Sequence, residues 1–213
     1  IYVEKMLKRF GFEEMHPQRT PMVTTQVANR ERKLREEPND EESLVETNTI
    51  KNAPYREAIG SLLYLANATR PDISYVVNVL SRHQINPTED DWKGIKRVFR
   101  YLKGTKNQGL SFLGKEDNFE AFSDASFADC KGSLTTCGFV VKLYGDSVAW
   151  RTHKQPYVAL STCQAEYVAM SEACQEIVAL HNSLKRMLNT SFAPIRLWCD
   201  NKAAEASAKT GGG

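Results

Sequence analysis

The sequence predicts an α/β protein whose sheet lies in the C-terminal half, and three observations lead there. After residue 108 the apolar positions switch from a helical spacing to a period near two, the mark of pleated strands. A long helical pattern then begins at Ser161, with Ala165, Val168, Ala169, Ala173, Ile177, Leu180, Leu184 and Leu188 on one stripe. Residues 195–200 return to an apolar run, and a short helical pattern follows it. The order strand, strand, strand, helix, strand, helix is that of an α/β domain.

Taken in order, the chain opens with a short helix. Val3, Met6, Leu7 and Phe10 recur at helical spacing, and Gly11 is placed to follow its C-cap. From 17 to 54 the pattern collapses under Pro17, Pro21, Pro38 and Pro54 and a dense run of charges, which reads as a linker. Residues 55–65 form a second helix, and Pro71 suits the first position of a third. Thr88 and Asp91 make a capping box for the next helix, which stops near Gly104. Its stripe of Trp92, Ile95, Phe99 and Leu102 is apolar. Lys93, Lys96, Arg97, Arg100 and Lys103 form a basic stripe, which is either solvated or set against a phosphate backbone. Residues 109–113, 119–127, 136–144 and 147–152 read as strands, with Gly145-Asp146 turning between the last two. Ser161 and Gln164 have capping-box spacing before the long helix.

Composition excludes little. With 41% hydrophobic and 25% charged residues, the chain has an ordinary globular balance. A net charge of +2 does not by itself imply nucleic acid. No apolar run is long enough for a membrane span, and no signal peptide is visible in the charged first ten residues. Five cysteines without a C-x-x-C pair predict reduced thiols rather than a zinc site. The start at Ile1 and the closing Gly211-Gly-Gly213 suggest an excerpt of a longer protein.

Chemistry is carried by three acids in comparable settings. Asp124 falls in the middle of a predicted strand, Glu166 early in the long helix and off its core stripe, and Asp200 at the end of an apolar strand. A carboxylate in such a place needs water, a cation or a metal ion. An Asp, Glu, Asp set gathered from strand, helix and strand is what a divalent-metal phosphodiesterase requires. Hard oxygen donors favour Mg²⁺ or Mn²⁺ over zinc. Asp129 is out of register and reads as a loop residue. Ser126 and Asn201 could contact a nucleic-acid backbone or serve as turn and cap. His153 and His181 have no partners at ligand spacing and read as structural or surface residues.

These residues match a family. Ser123-Asp-Ala-Ser-Phe-Ala-Asp129, Trp150 with Lys154-Gln155, Ala159-Leu-Ser161, Gln164-Ala-Glu-Tyr167 and Cys199-Asp-Asn201 resemble the ribonuclease H domain of copia-type LTR retrotransposon polyproteins. Upstream, Tyr55-Arg-Glu-Ala-Ile-Gly-Ser-Leu-Leu-Tyr64, Thr69-Arg-Pro-Asp-Ile73, Leu80-Ser-Arg82 and Arg100-Tyr-Leu-Lys-Gly-Thr105 are similar to the segment before that nuclease. The resemblance divides the chain into the end of a reverse-transcriptase palm (1–16), the charged linker (17–54), a thumb- or connection-like helical region (55–107) and an incomplete ribonuclease H-like domain (108–213).

The resemblance implies a ribonuclease H-like mixed sheet with flanking helices. It also implies cleavage of the RNA strand of an RNA–DNA hybrid by two Mg²⁺ (or Mn²⁺) ions held by Asp124, Glu166 and Asp200. The implied partner is the remainder of the Pol polyprotein, including its polymerase, and the implied location is a cytoplasmic virus-like particle. The family pattern continues with a strand bearing a fourth acidic ligand and a closing helix, whereas here the chain runs from Ala203 to Gly213 and stops. Glu205 is no convincing substitute, and the polymerase's paired aspartates are absent, so no DNA synthesis is expected. The alternative is an inactive or domesticated remnant that binds nucleic acid, through the basic stripe, without cutting it. An integrase is disfavoured because its acids run Asp, Asp, Glu along the chain.

Overall fold

The computed structural model describes residues 2–23, 53–116, 118–189, 192 and 194–210, so most of the charged linker lies outside the described residues. The chain divides into two compact units, residues 1–109 and 110–213.

The first unit is helical, as its spacing demands. Helices α1 (Tyr2–Phe10), α2 (Tyr55–Ala68), α3 (Ser74–Ser81) and α4 (Glu89–Gly104) surround one core. Ile59 and Leu62 of α2, Val77 of α3, and Ile95, Val98, Phe99 and Leu102 of α4 are fully buried there. Helix α4 begins with a reciprocal capping box, the Thr88 side chain accepting from the Asp91 amide while Asp91 accepts from that of Thr88. Two cations of its basic stripe are already committed. Arg97 donates to Thr20 Oγ1 at 2.9 Å and Arg100 to the His16 carbonyl at 2.6 Å. Lys93 pairs with Asp90 at the surface.

The motifs around 70 and 101 form a clasp. Arg70, 3% exposed, places Nε and Nη2 on the two Asp72 oxygens at 2.9 and 2.7 Å. It also donates to the carbonyl and hydroxyl of Thr105, and the Tyr101 hydroxyl donates to Asp72 at 2.7 Å. The fork shape of the guanidinium is what allows one side chain to hold a turn and the end of a helix together.

The second unit is a four-stranded mixed sheet with two helices. Strands β1 (Phe119–Ser126), β2 (Thr136–Leu143) and β3 (Asp146–Lys154) run antiparallel in sequence, and β4 (Arg196–Trp198) joins β1 in parallel, giving the order β3-β2-β1-β4. Helix α5 (Thr162–Leu188) connects β3 to β4, and α6 (Lys202–Lys209) follows β4. Phe119, Ala121, Phe139 and Val141 pack against Ala173 and Ile177 of α5. Nearer the start of α5 the core narrows to Ala125, Cys137, Ala159, Ala165 and Ala169. Small side chains there bring the helix close to β1.

Several local expectations need correction. Residues 109–113 are not a strand; Asp146 instead receives the amides of Leu113 and Gly114. The hairpin turn sits at Tyr144 and Gly145, both at positive φ, one residue earlier than read, because Leu143 pairs directly with Asp146. At α5 the Ser161 hydroxyl accepts from the Gln164 amide, but the Gln164 side chain receives the Leu160 amide rather than that of Ser161. Leu188 is 53% exposed instead of facing the core, whereas Glu166, placed off the core stripe, is 3% exposed.

Candidate functional site

Strand alternation decides which way Asp124 points. Odd positions of β1 are buried and Phe122, Asp124 and Ser126 are exposed. The parallel pairing of Phe122 with Trp198 then relates Asp124 and Asp200, since each lies two residues beyond that pair. The two rings stack at 6.4 Å, and the Trp198 indole donates to Glu120 at 2.9 Å, which fixes β4 beside β1. Opposite Asp124 stands Gly138, where a Cβ would come within 2.9 Å of the Arg151 carbonyl, so no side chain covers Asp124 from across that ladder.

Glu166 enters from the first turns of α5. Its Oε1 accepts the Ala125 amide at 3.3 Å, and the Cys199 thiol donates to Oε2 at 3.8 Å. Ligand atoms of Glu166, Cys199 and Asp200 lie within 4.8 Å of one another. Burial is the main force that raises the Glu166 carboxyl above its ordinary value of 4.5, and the charges of Asp124 and Asp200 add to it. Ala125 N–H and the Cys199 thiol pull the other way, without reversing the direction. The three predicted acids therefore act on one another, Glu166 and Asp200 at ligand distance and Asp124 through its charge. Among the groups that act most strongly on Glu166 there is no cation. Such a set fits a divalent ion: buried or crowded oxygen charge with no cation among the strongest influences on Glu166. Cys199 was not singled out from the sequence. Its place next to Asp200 in the apolar run 195–200, two residues after Leu197, is the available signal, although β4 itself ends at Trp198.

The remaining predicted residues serve locally. Ser126 pairs with Thr136 across the β1–β2 ladder and is exposed. Asn201 is the N-cap of α6, its side chain accepting from the Ala203 and Ala204 amides at 3.0 Å each. Asp129 is a loop anchor, holding the amide and hydroxyl of Thr136. Glu205 is ion-paired to Lys209 at 2.6 Å on the exposed side of α6. Lys96 and Lys103 stay on the basic stripe of the first unit without an ion pair among the described residues. His153 corrects its reading as a residue without partners, because Glu172 of α5 lies 2.9 Å from it. Among the described residues no helix is long and apolar enough to cross a membrane.

Comparison with known proteins adds the following. The chain is 31% identical over 166 residues to a retrovirus-related Pol polyprotein from transposon TNT 1-94 of Nicotiana tabacum, a match spanning 78% of this chain and 12% of the relative. It is 39% identical over 154 residues to the Pol polyprotein from transposon RE2 of Arabidopsis thaliana, spanning 70% of this chain and 10% of the relative. It is also 43% identical over 119 residues to secreted RxLR effector protein 161 of Plasmopara viticola, covering 55% of this chain and 84% of that protein. No family model and no solved structure matches the chain.

Proposed function

Because the chain belongs to the copia-type retrotransposon Pol polyproteins, we propose that its second unit is a ribonuclease H-like nuclease fragment that hydrolyses the RNA strand of RNA–DNA hybrids. The observation that carries this reading is the buried Glu166 carboxyl, held beside Asp200 and within the field of Asp124 without a balancing cation. Asp124, Glu166 and Asp200 would hold a pair of Mg²⁺ or Mn²⁺ ions. Bound there, such ions supply charge for the phosphate oxygens and a more acidic water.

The residues of the chain have their own parts. Asp124 on β1 and Asp200 just past the end of β4, each two residues beyond the Phe122–Trp198 pair, are exposed on the side from which a phosphate would arrive. Glu166, fixed by the Ala125 amide, keeps one oxygen anchored and the other turned towards Asp200 and Cys199. The Phe122–Trp198 stack holds the spacing of the two strands. Lys93, Lys96, Arg97, Arg100 and Lys103 of α4 supply a basic stripe for the phosphate backbone. Lys93 contributes less, since Asp90 offsets its charge, and Arg97 and Arg100 have some of their donors engaged by Thr20 and His16. The remainder of a Pol polyprotein is the natural partner, and a cytoplasmic virus-like particle the natural place.

The test is a labelled RNA–DNA hybrid incubated with Mg²⁺ and either the chain or its Asp124→Asn variant. Cleavage by the chain and a loss on the order of a hundredfold or more in the variant is expected, since several kcal/mol of transition-state charge stabilisation depends on the ligand set. Cleavage unchanged in D124N ends the nuclease reading. A second reading, binding without cleavage, is favoured by one observation: Asp124 is outside the group of ligand atoms within 4.8 Å that Glu166, Cys199 and Asp200 form. Salt-sensitive hybrid binding that D124N leaves intact, with no cleavage by either protein, would select it.

A further inference from the structure

We infer that Cys137, His153 and Glu172 form a transition-metal site, taking Zn²⁺ by preference, that is separate from the carboxylate cluster around Glu166. Strand pairing creates the first half of it. Cys137 and His153 are direct partners across the β2–β3 ladder, so their side chains leave the same face of the sheet. Helix α5 covers that face and lowers Glu172 onto the pair.

The distances match the demands of a tetrahedral ion. Zinc holds sulfur at about 2.3 Å and imidazole nitrogen at about 2.0–2.1 Å, which sets sulfur and nitrogen roughly 3.5 Å apart, and nitrogen and carboxylate oxygen roughly 3.3 Å apart. Here Cys137 Sγ lies 3.6 Å from His153 Nε2 and 3.9 Å from Glu172 Oε2, and His153 Nε2 lies 2.9 Å from the same oxygen. Side-chain shifts of a few tenths of an ångström would complete the coordination. The charges also balance: a thiolate and a carboxylate offset the two charges of the ion, with His153 neutral and the thiol proton passing to solvent.

Donor chemistry separates this site from the first. Sulfur and imidazole select zinc-like ions, whereas carboxylates select magnesium-like ones. Without an ion, burial above all and the Glu172 charge push the Cys137 thiol up to about 12, while Gln155 and Arg151 favour the thiolate. The cysteine is therefore an inert thiol until a metal displaces its proton. Three protein ligands leave a fourth position. Cys137 is buried, but His153 and Glu172 keep 18% and 23% of their side chains exposed, and Glu172 lines a cleft of about 440 Å³ beside Arg151, Tyr157, Tyr167 and Ser171. Water or a small anion from that cleft would fill the position.

Titrating the metal-free chain with Co²⁺, and then displacing Co²⁺ with Zn²⁺, tests the site without any activity assay. One equivalent of Co²⁺ should give a thiolate-to-cobalt charge-transfer band that Zn²⁺ abolishes. The Cys137→Ser variant should lose the band and the Cys199→Ser variant should keep it. H153Q and E172Q should weaken Zn²⁺ binding at least tenfold, measured by competition with a chromophoric chelator. A band lost in C199S but kept in C137S would move the ion to the Glu166 cluster and overturn the inference. So would the absence of a thiolate band in the unsubstituted chain, a result that does not depend on any variant folding. Hybrid cleavage is read in a separate assay, so either failure can be told apart from a failure of the nuclease reading.

Discussion

Two acids, one in each unit, both lose water on folding, Glu166 almost all of it and Asp72 part of it, and they answer that cost in opposite ways. At Asp72 burial raises the carboxyl, but the Arg70 fork and the Tyr101 hydroxyl outweigh it, and the group ends below its ordinary value of 3.8. At Glu166 burial again raises the carboxyl; the Ala125 amide opposes it, but the charges of Asp124 and Asp200 push the same way as burial, and the group ends above 4.5. Desolvation alone does not distinguish structure from function. The sign of what surrounds the charge does. A carboxylate answered by a guanidinium is finished, whereas one crowded by other carboxylates still requires a cation.

The largest test of this contrast removes the answer at Asp72. Arg70→Ala leaves that carboxylate unpaired and takes the donors from the Thr105 carbonyl. Breaking a fully buried pair costs about 3–5 kcal/mol. Asp72 keeps 36% of its side chain in water, so a loss of about 2–3 kcal/mol is expected after discounting for screening. Hydrogen exchange of the α4 amides measures it directly. Arg70→Lys keeps the charge without the fork and should fall between the two proteins. Equal stability of R70A and the unsubstituted chain would mean that the clasp is ornamental.

That clasp also marks how far the sequence could be read. Helix α4, its capping box and its apolar stripe were all legible, because caps and spacing act over three or four residues. Asp124, Glu166 and Asp200 were legible through residue type and placement in their elements. Arg70 with Asp72 was not, since nothing in residues 69–73 announces that Thr105 closes the ring. Nor was Cys137 with His153 and Glu172, because that set exists only through the β2–β3 register and the rotation of α5. The burial of Glu166 was missed for a related reason. The apolar stripe marks the face of α5 that meets β1 and β2 in the middle of the helix, but near its start the alanines let it approach until an acid beside the stripe is enclosed as well.

Glu166 gives the opposite arm of the comparison, with an effect of opposite sign. Its folded-state carboxyl holds its proton more tightly than in the unfolded chain. Metal-free stability should therefore fall as pH rises through 4.5 towards the raised folded value, and stay reduced above it. Glu166→Gln keeps an oxygen for the Ala125 amide and removes the charge. It should flatten that slope and raise the metal-free melting temperature at neutral pH by a few degrees, on the usual scale for a chain of this size. Asp72 behaves in reverse, contributing stability above 3.8 that is lost as pH falls through its lowered value. Added Mg²⁺ should stabilise the unsubstituted chain and leave E166Q unmoved, by differential scanning fluorimetry. A destabilised E166Q at neutral pH would show that the cluster is balanced without an ion and would remove the main support for the nuclease reading.

The smallest effect asks whether Asp72 owes its state to charge or to hydrogen bonding. Tyr101→Phe removes the 2.7 Å hydroxyl contact and leaves the Arg70 pair and the ring's cation–π contact, 5.5 Å from the guanidinium, in place. If the fork dominates, Asp72 stays ionised and satisfied on both oxygens, and the loss is that of one partly exposed hydrogen bond, about 0.5–1 kcal/mol. The carboxyl resonance of Asp72, followed through an acid titration by NMR, should then move only modestly upward and remain below 3.8. A Y101F chain in which that group returned to its ordinary value would assign the clasp to the hydroxyl. The guanidinium would then be a geometric tie between the turn at 70–73 and the end of α4, and the sign of the neighbouring charge would cease to separate the two acids.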